Sequence, residues 1–187
     1  NDPLRGTKGT TWEGGMRVPM IVRWPKQAPA GVECGELATS MDMLPTLAKL
    51  AGAEPPVDRI IDGHDITPLI MGEDGAATQY DAFGYYLRDE LQAIRSGDWK
   101  LHLQNGELYD LANDVGETED VARANPAVVR EMTRKADAMR RDLGDSLTDT
   151  EGENRRPCGW VEDAKPLTEY DPEHPYIIAM YDLQDAG

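Results

Sequence analysis

Gly6-Thr7-Lys8-Gly9-Thr10-Thr11 sets one lysine between two glycines in a run of small hydroxyl residues. Glycine lets the backbone turn tightly and come close to a ligand, so a lysine on such a turn aims an ammonium at an approaching anion. The chemistry this suits is charge offset, in which a fixed cation stabilises negative charge developing on oxygens during group transfer. Lys8 is a candidate for that role, although a lysine on such a turn is by itself more often a solvated loop residue. Arg5 offers a second positive charge nearby, though a surface arginine also has a purely solvated use. Thr10 and Thr11 carry hydroxyls that can donate beside the lysine or satisfy their own backbone, as hydroxyls in turns do. Glu13 and Arg17 are spaced to pair around Gly14-Gly15 and hold the turn, a structural role. The residue order excludes a nucleotide P-loop, where the lysine follows its second glycine and a helix comes next. Here Lys8 precedes Gly9.

Other candidates are weaker. Asp62, His64 and Asp65 invite a metal reading, but Asp62-Gly63 is an ordinary turn and the spacing matches no standard metal loop, so no metal ligand is assigned. His102 sits on an alternating strand and His174 lies between Pro172 and Pro175; neither has an evident partner in sequence. Cys34 and Cys158 lack CxxC or Cys/His spacing, which gives zinc no support and leaves both free thiols and one disulfide open.

The elements that must position these groups follow from pattern. Val18-Pro19-Met20-Ile21-Val22-Arg23-Trp24 is a nearly continuous apolar run, which predicts a strand buried on both faces of a mixed or parallel sheet. Residues 25–35 form a surface connection. A helix is predicted from Ser40 to Ala51, with Asp42 in its first turn, Gly52 as its stop, and Met41, Leu44 and Leu47 docking it on that sheet. Residues 53–80 read as a connecting segment anchored by Ile60-Ile61. Short strands are predicted at 81–87, 91–96, 99–103 and 107–111. The last three are separated by Gly97-Asp98 and Asn105-Gly106, turns that favour antiparallel hairpins. A long helix follows, capped by Asn125, opened by Pro126, striped by Val129, Met132, Ala136, Met139 and Leu143, and ended by Gly144. Residues 145–187 read as an irregular tail pinned by Trp160, Tyr170, Tyr176 and Tyr181. The expected division is 1–77 as the end of a large α/β domain, 78–144 as a small sheet-and-helix subdomain, and 145–187 as tail.

At 187 residues with 40% hydrophobic composition the chain can bury a core. A formal net charge of -16 repels nucleic acid and anionic membrane surfaces, so an anionic substrate must be met by local cations. No apolar run reaches the length of a membrane span. The chain begins without an initiating Met or a leader, which is expected of a fragment.

Lys8-Gly9-Thr10-Thr11-Trp12-Glu13-Gly14-Gly15-Met16-Arg17-Val18-Pro19 resembles the K-G-T-x-(Y/W)-E-G-G-x-R-x-P segment of the sulfatase family, close to its arylsulfatase A-like members. Two further stretches resemble the same family in the same order. They are Ser40-Met41-Asp42-Met43-Leu44-Pro45-Thr46 with Asp62-Gly63, and Glu107-Leu108-Tyr109-Asp110-Leu111 with Asp114 and Gly116-Glu117. The resemblance implies an α/β fold: the C-terminal portion of an alkaline-phosphatase-like domain, with a small antiparallel sheet and helix. It implies hydrolysis of a sulfate ester to an alcohol or phenol plus sulfate, with Lys8 contacting the sulfate of a sulfated small molecule or glycan. It also implies calcium and a formylglycine for the parent enzyme, and a periplasmic or secreted location. Neither cysteine fits the (C/S)-x-P-x-R motif from which formylglycine is made, so the nucleophile and the calcium carboxylates are expected on a missing N-terminal catalytic segment. The fragment alone is then expected to be inactive. Two alternatives stay open at this point: a phosphodiesterase or phosphonate hydrolase of the same superfamily, and a non-catalytic acidic interaction module.

Overall fold

Alternating apolar residues broken by Gly97-Asp98 and Asn105-Gly106 fold as predicted into hairpins. The computed structural model describes residues 2–156 together with residue 162. Four strands form, β1 Phe83–Leu87, β2 Glu90–Ser96, β3 Trp99–His102 and β4 Leu108–Asp110, each antiparallel to the next in a single sheet of order β1-β2-β3-β4. Gly97, with φ 56°, supplies the positive φ that a two-residue hairpin loop needs at its first position. Tyr85 pairs with Ala93 but Tyr86 with Leu91, so Gln92 is an extra residue in a β-bulge. The bulge turns Leu91 and Ile94 to the same face although they are three residues apart.

That face is covered by an 18-residue helix, Pro126–Leu143. Pro126 opens it without loss, since the first helical N–H has no intrahelical partner in any case. Leu91, Ile94, Leu101, Leu108, Met132 and Ala136 form the buried core, with Val129 and Met139 packed on its rim. Gly84 lies where any Cβ would strike the Met139 sulfur, so β1 approaches the helix closely because it carries no side chain there. Asn125 does not cap the helix with its side chain as predicted; its amide donates instead to Val121 O at 3.0 Å.

Four further short helical pieces frame the sheet: Glu13–Met16, Ser40–Asp42 (a 3-10 turn), Met43–Leu50 and Thr67–Met71. In chain order the α-helices are therefore α1 Glu13–Met16, α2 Met43–Leu50, α3 Thr67–Met71 and α4 Pro126–Leu143. The helix predicted at 40–51 is split into a 3-10 turn and α2, and it starts from Thr39. The Thr39 hydroxyl accepts from Met41 N while the Asp42 carboxylate accepts from Thr39 N at 2.6 Å, a reciprocal capping box. Beyond Asp145 the chain makes a 3-10 turn, Ser146–Thr148, closed by a bridge between Asp145 and Thr150. Cys158, Trp160, Tyr170, His174, Tyr176 and Tyr181 lie outside the described residues.

Three expectations are corrected. The strand predicted at 18–24 is not formed: the segment takes no regular secondary structure, with Val18 84% and Ile21 93% exposed. A strand needs a neighbour for its N–H and C=O groups, and none of the four strands of the described sheet pairs with this segment. For the same reason α2 is not docked through its leucines. Pro45 and Thr46 are its buried residues, and Leu44 and Leu47 face solvent. Finally, Ile60 does not anchor the 53–80 segment; it is 57% exposed, whereas Ile66, just before the unpredicted α3, and Leu69 within it are buried. Among the described residues no helix is long and apolar enough to cross a membrane.

Candidate functional site

The Lys8 turn is built from its own backbone. Thr10 N–H donates to Thr7 O at 3.1 Å, and the Thr10 hydroxyl donates to the same oxygen at 2.8 Å. Gly9, at the third position, has φ 88°, the value a type II turn requires there. Lys8 is left exposed at the tip, and its ammonium has no partner among the described residues. Behind the turn lies α1. Gly14 N–H donates to Arg5 O at 2.7 Å, and a Cβ on Gly14 would lie 2.6 Å from that same oxygen. A Cβ on Gly15 would overlap the Thr10 carbonyl. The Gly14-Gly15 pair is thus what allows the lysine turn to lie directly on α1.

The anchor beneath this turn is ionic. The sheet face opposite α4 carries Tyr85, Arg95, Lys100, His102 and Tyr109, the residues paired across β1 to β4 on that side. Lys100 and Glu13 are both 0% exposed. Lys100 Nζ donates to Thr11 O at 2.8 Å and to Glu13 Oε1 at 2.9 Å, and lies 2.9 Å from Glu117 Oε1. Glu117 Oε2 accepts the backbone N–H of Glu13 at 2.7 Å. Glu13 Oε2 pairs with Arg17 Nε, the ion pair expected from sequence, and has Arg95 at 3.8 Å. His102 Nε2 lies 2.9 Å from Glu117 Oε1. The rings of Trp12 and His102 stack with centroids 4.0 Å apart.

Electrostatics keep both carboxylates ionised. Burial pushes the Glu13 carboxyl up, but the Lys100 ammonium and the Arg17 guanidinium outweigh it and hold the group down at about 2. Burial likewise opposes the Glu117 charge, and the bonds from His102, Glu13 N–H and Lys100 again win, leaving its pKa lowered. Since Glu117 is a carboxylate, His102 Nε2 must carry the hydrogen between them. Burial, then the Glu13 charge, pushes the Tyr85 hydroxyl far up, so it stays protonated beside the cluster.

Glu117 is itself held by a turn. The Asp114 carboxylate accepts from Thr118 N at 2.7 Å and Glu119 N at 2.9 Å, and Glu117 N–H donates to Asp114 O at 3.1 Å. Arg5 closes the arrangement from the other side. Its Nη1 donates to Glu117 O at 2.8 Å and lies 3.3 Å from the Tyr109 hydroxyl, while the guanidinium sits 3.7 Å over the Trp12 ring. Lys8, Arg5 and Thr10 therefore belong to one surface region, with Lys8 presenting its cation outward and Arg5 tied back to the loop after β4. Lys100 and Glu117 have no assigned role in the sequence reading. Glu117 is present there within a matched motif, whereas a lysine on an alternating strand reads as a solvent-facing residue.

Asp62, His64 and Asp65 do not converge. Asp65 pairs with Lys49 at 2.6 Å and accepts from Thr67 N at 2.9 Å, and His64 N–H donates to the buried Asp42 at 2.7 Å. Among the described residues, no group of three His, Cys, Asp or Glu side chains is arranged to hold a metal ion. Cys34 is an exposed free thiol followed by Gly35-Glu36, which does not fit the sequence needed for a formylglycine.

Comparison with known proteins agrees with the three sequence matches. The family described as N-sulphoglucosamine sulphohydrolase, C-terminal, matches residues 7–142. Steryl-sulfatase of Mus musculus is 45% identical over 104 residues, covering 54% of this chain and 16% of that protein. Arylsulfatase A of Homo sapiens is 35% identical over 161 residues, covering 69% of this chain and 31% of that protein. The crystal structure of Ps i-CgsB superposes with TM-score 0.67 at 30% identity, covering 82% of this chain and 35% of that one. The same protein is also solved in complex with k-i-k-neocarrahexaose. This chain thus spans between about a sixth and about a third of the length of the relatives it matches.

Proposed function

This chain belongs to the sulfatase family, in its C-terminal part, and from that premise we propose that it completes an enzyme hydrolysing a sulfate ester to an alcohol or phenol plus sulfate, with Lys8 contacting the sulfate. The observation that carries the reading is the placement of Lys8: an exposed ammonium without a partner among the described residues, on a turn backed by a buried ionic cluster. An ammonium carried on a turn anchored in this way offsets negative charge as it builds on the sulfuryl and leaving oxygens. Thr10 and Arg5 flank it. The Thr10 hydroxyl already donates to Thr7 O, so in this reading it meets the substrate as an acceptor or after rotating. Arg5 adds positive potential from behind the turn.

The nucleophile and the calcium ion belong, in this reading, to a partner segment outside residues 1–187. Residues 1–77 then form the end of the large α/β domain and residues 78–144 the small subdomain, while most of the segment expected as a tail lies outside the described residues. The exposed apolar residues Val18, Ile21, Leu44 and Leu47 support this, since each leaves apolar surface in solvent that further chain would cover. The substrate class is a sulfated small molecule or glycan, a reading supported by the oligosaccharide bound to i-CgsB.

The test is Lys8→Ala in the full-length polypeptide that carries this chain. Loss of one preorganised charge is expected to lower kcat by about 10²- to 10³-fold and to change KM less. Lys8→Arg is expected to restore part of the rate, because the planar guanidinium keeps the charge but not the shape. Near-normal kcat in folded Lys8→Ala protein would remove the reading.

A further inference from the structure

Lys100 occupies a position where stability alone gives no reason for a charge. Replacing a buried ion cluster with apolar groups of similar volume is often neutral or stabilising. What three charges supply there is direction. Lys100 Nζ has three hydrogens and three acceptors within 2.9 Å: Thr11 O, Glu13 Oε1 and Glu117 Oε1. Thr11 and Glu13 lie on the stretch that leaves the Lys8 turn, Lys100 lies on β3, and Glu117 lies on the loop after β4. Glu117 Oε2 then returns to Glu13 N–H, so the cluster closes into a ring of bonds joining three chain segments. An apolar contact would tolerate a slide of residues 7–13 along the sheet; directed bonds between charged groups do not.

We propose that Lys100, together with Glu117, is a positioning residue for the Lys8 turn, fixing the register of residues 7–13 against β3 and thereby the place of the Lys8 ammonium. The functional half of this inference rests on the reading of Lys8 as the sulfate contact, while the clamp rests on geometry alone. Lys100 and Glu117 act through Glu13 and Thr11 and touch no substrate.

Amide hydrogen exchange on this chain tests the clamp without any substitution. The amides of Thr10 and Gly14, bonded to Thr7 O and Arg5 O, are expected to open together with His102 N–H of β3, with protection within about tenfold of it. Exchange of Thr10 and Gly14 at the rate of an unprotected loop, while His102 stays protected, would overturn the clamp. The paired substitution Lys100→Met with Glu117→Gln removes one charge of each sign and so leaves no lone buried ion. It is expected to speed exchange at Thr10 and Gly14 at least about tenfold more than in α4. Met132→Ala, which opens the core on the other face, is expected to show no such bias; equal behaviour of the two variants would also overturn the clamp.

In the full-length polypeptide the paired variant is expected to lower kcat at least about tenfold with KM within about threefold, and to add little once Lys8 is already Ala. An unchanged kcat in the paired variant, beside a large loss in Lys8→Ala, overturns the positioning role and leaves the sulfate reading intact. A silent Lys8→Ala beside the exchange bias overturns the sulfate reading and leaves the clamp intact.

Discussion

Gly15 rests against Thr10 so closely that a methyl group on its α-carbon would overlap the Thr10 carbonyl. This contact sets the height of the Lys8 turn above α1. Gly9 differs in kind: it has open space around it and is required for its φ of 88° alone.

Gly15→Ala is therefore expected to destabilise the chain by about 1–3 kcal/mol through overpacking. Gly9→Ala is expected to cost about 1 kcal/mol through backbone strain. Urea unfolding of both variants against the parent chain checks the ranking, and a Gly15→Ala variant as stable as the parent would contradict the close approach.

Acid should loosen the anchor. Glu13 titrates at about 2 in the folded chain against 4.5 as its ordinary value, and Glu117 is shifted in the same direction. A depressed carboxyl contributes stability that is complete above the unfolded value and disappears as pH falls through the folded one. Stability measured by urea unfolding is expected to fall between about pH 4.5 and pH 2. Glu13→Gln is expected to flatten that fall while lowering stability at pH 7.

Asp42 is a further buried carboxylate, accepting from Thr39 N at 2.6 Å, His64 N at 2.7 Å and the Tyr80 hydroxyl at 2.6 Å. Asp42→Ala strands three donors and is expected to cost about 3 kcal/mol, whereas Tyr80→Phe is expected to cost about 1 kcal/mol. Thermal or urea unfolding distinguishes the two, and equal losses would mean that the carboxylate does not organise this turn.

The exposed apolar run should make the isolated chain sticky. Val18→Ser with Ile21→Ser is expected to raise the concentration at which light scattering detects self-association, with stability unchanged within about 0.5 kcal/mol. No change in association would assign the stickiness elsewhere.

The sheet and its helix were legible in the sequence because their signals are local. Alternation on β3, the Gly97-Asp98 and Asn105-Gly106 turns, and Pro126 with Gly144 around an apolar stripe each act within a few residues. The segment at 18–24 carries an equally clear apolar pattern, but a strand is a property of a pair, and no partner for it exists among the described residues. α1, with the sequence Glu-Gly-Gly-Met, has no helix signal at all and is defined by its contacts with the Lys8 turn. α3 was better marked than the reading allowed, by Pro68 near its start and the left-handed Gly72 at its end. Of the candidate site, the Glu13–Arg17 pair was readable from spacing, whereas Lys8 was singled out by the family resemblance. The burial of Lys100 was not, because its acceptors at positions 11, 13 and 117 lie far from it in sequence.

The Gln92 bulge also bears on which insertions and deletions this chain can survive. Ahead of the bulge Leu91 faces α4, and after it Ile94 does so as well, while Ala93 and Arg95 lie on the side of the ionic cluster. The one surplus residue thus acts as a phase shift between the two halves of β2. Deleting Gln92 would leave Leu91 and Ile94 two residues apart and both still facing α4 by strict alternation, whereas a residue gained or lost between Ile94 and Ser96 would turn Arg95 toward the core. A residue gained or lost in the exposed turn at 105–106 carries no such penalty. Length changes among natural variants of this domain should accordingly cluster in that turn and at the bulge, and be absent from β2 beyond Ile94.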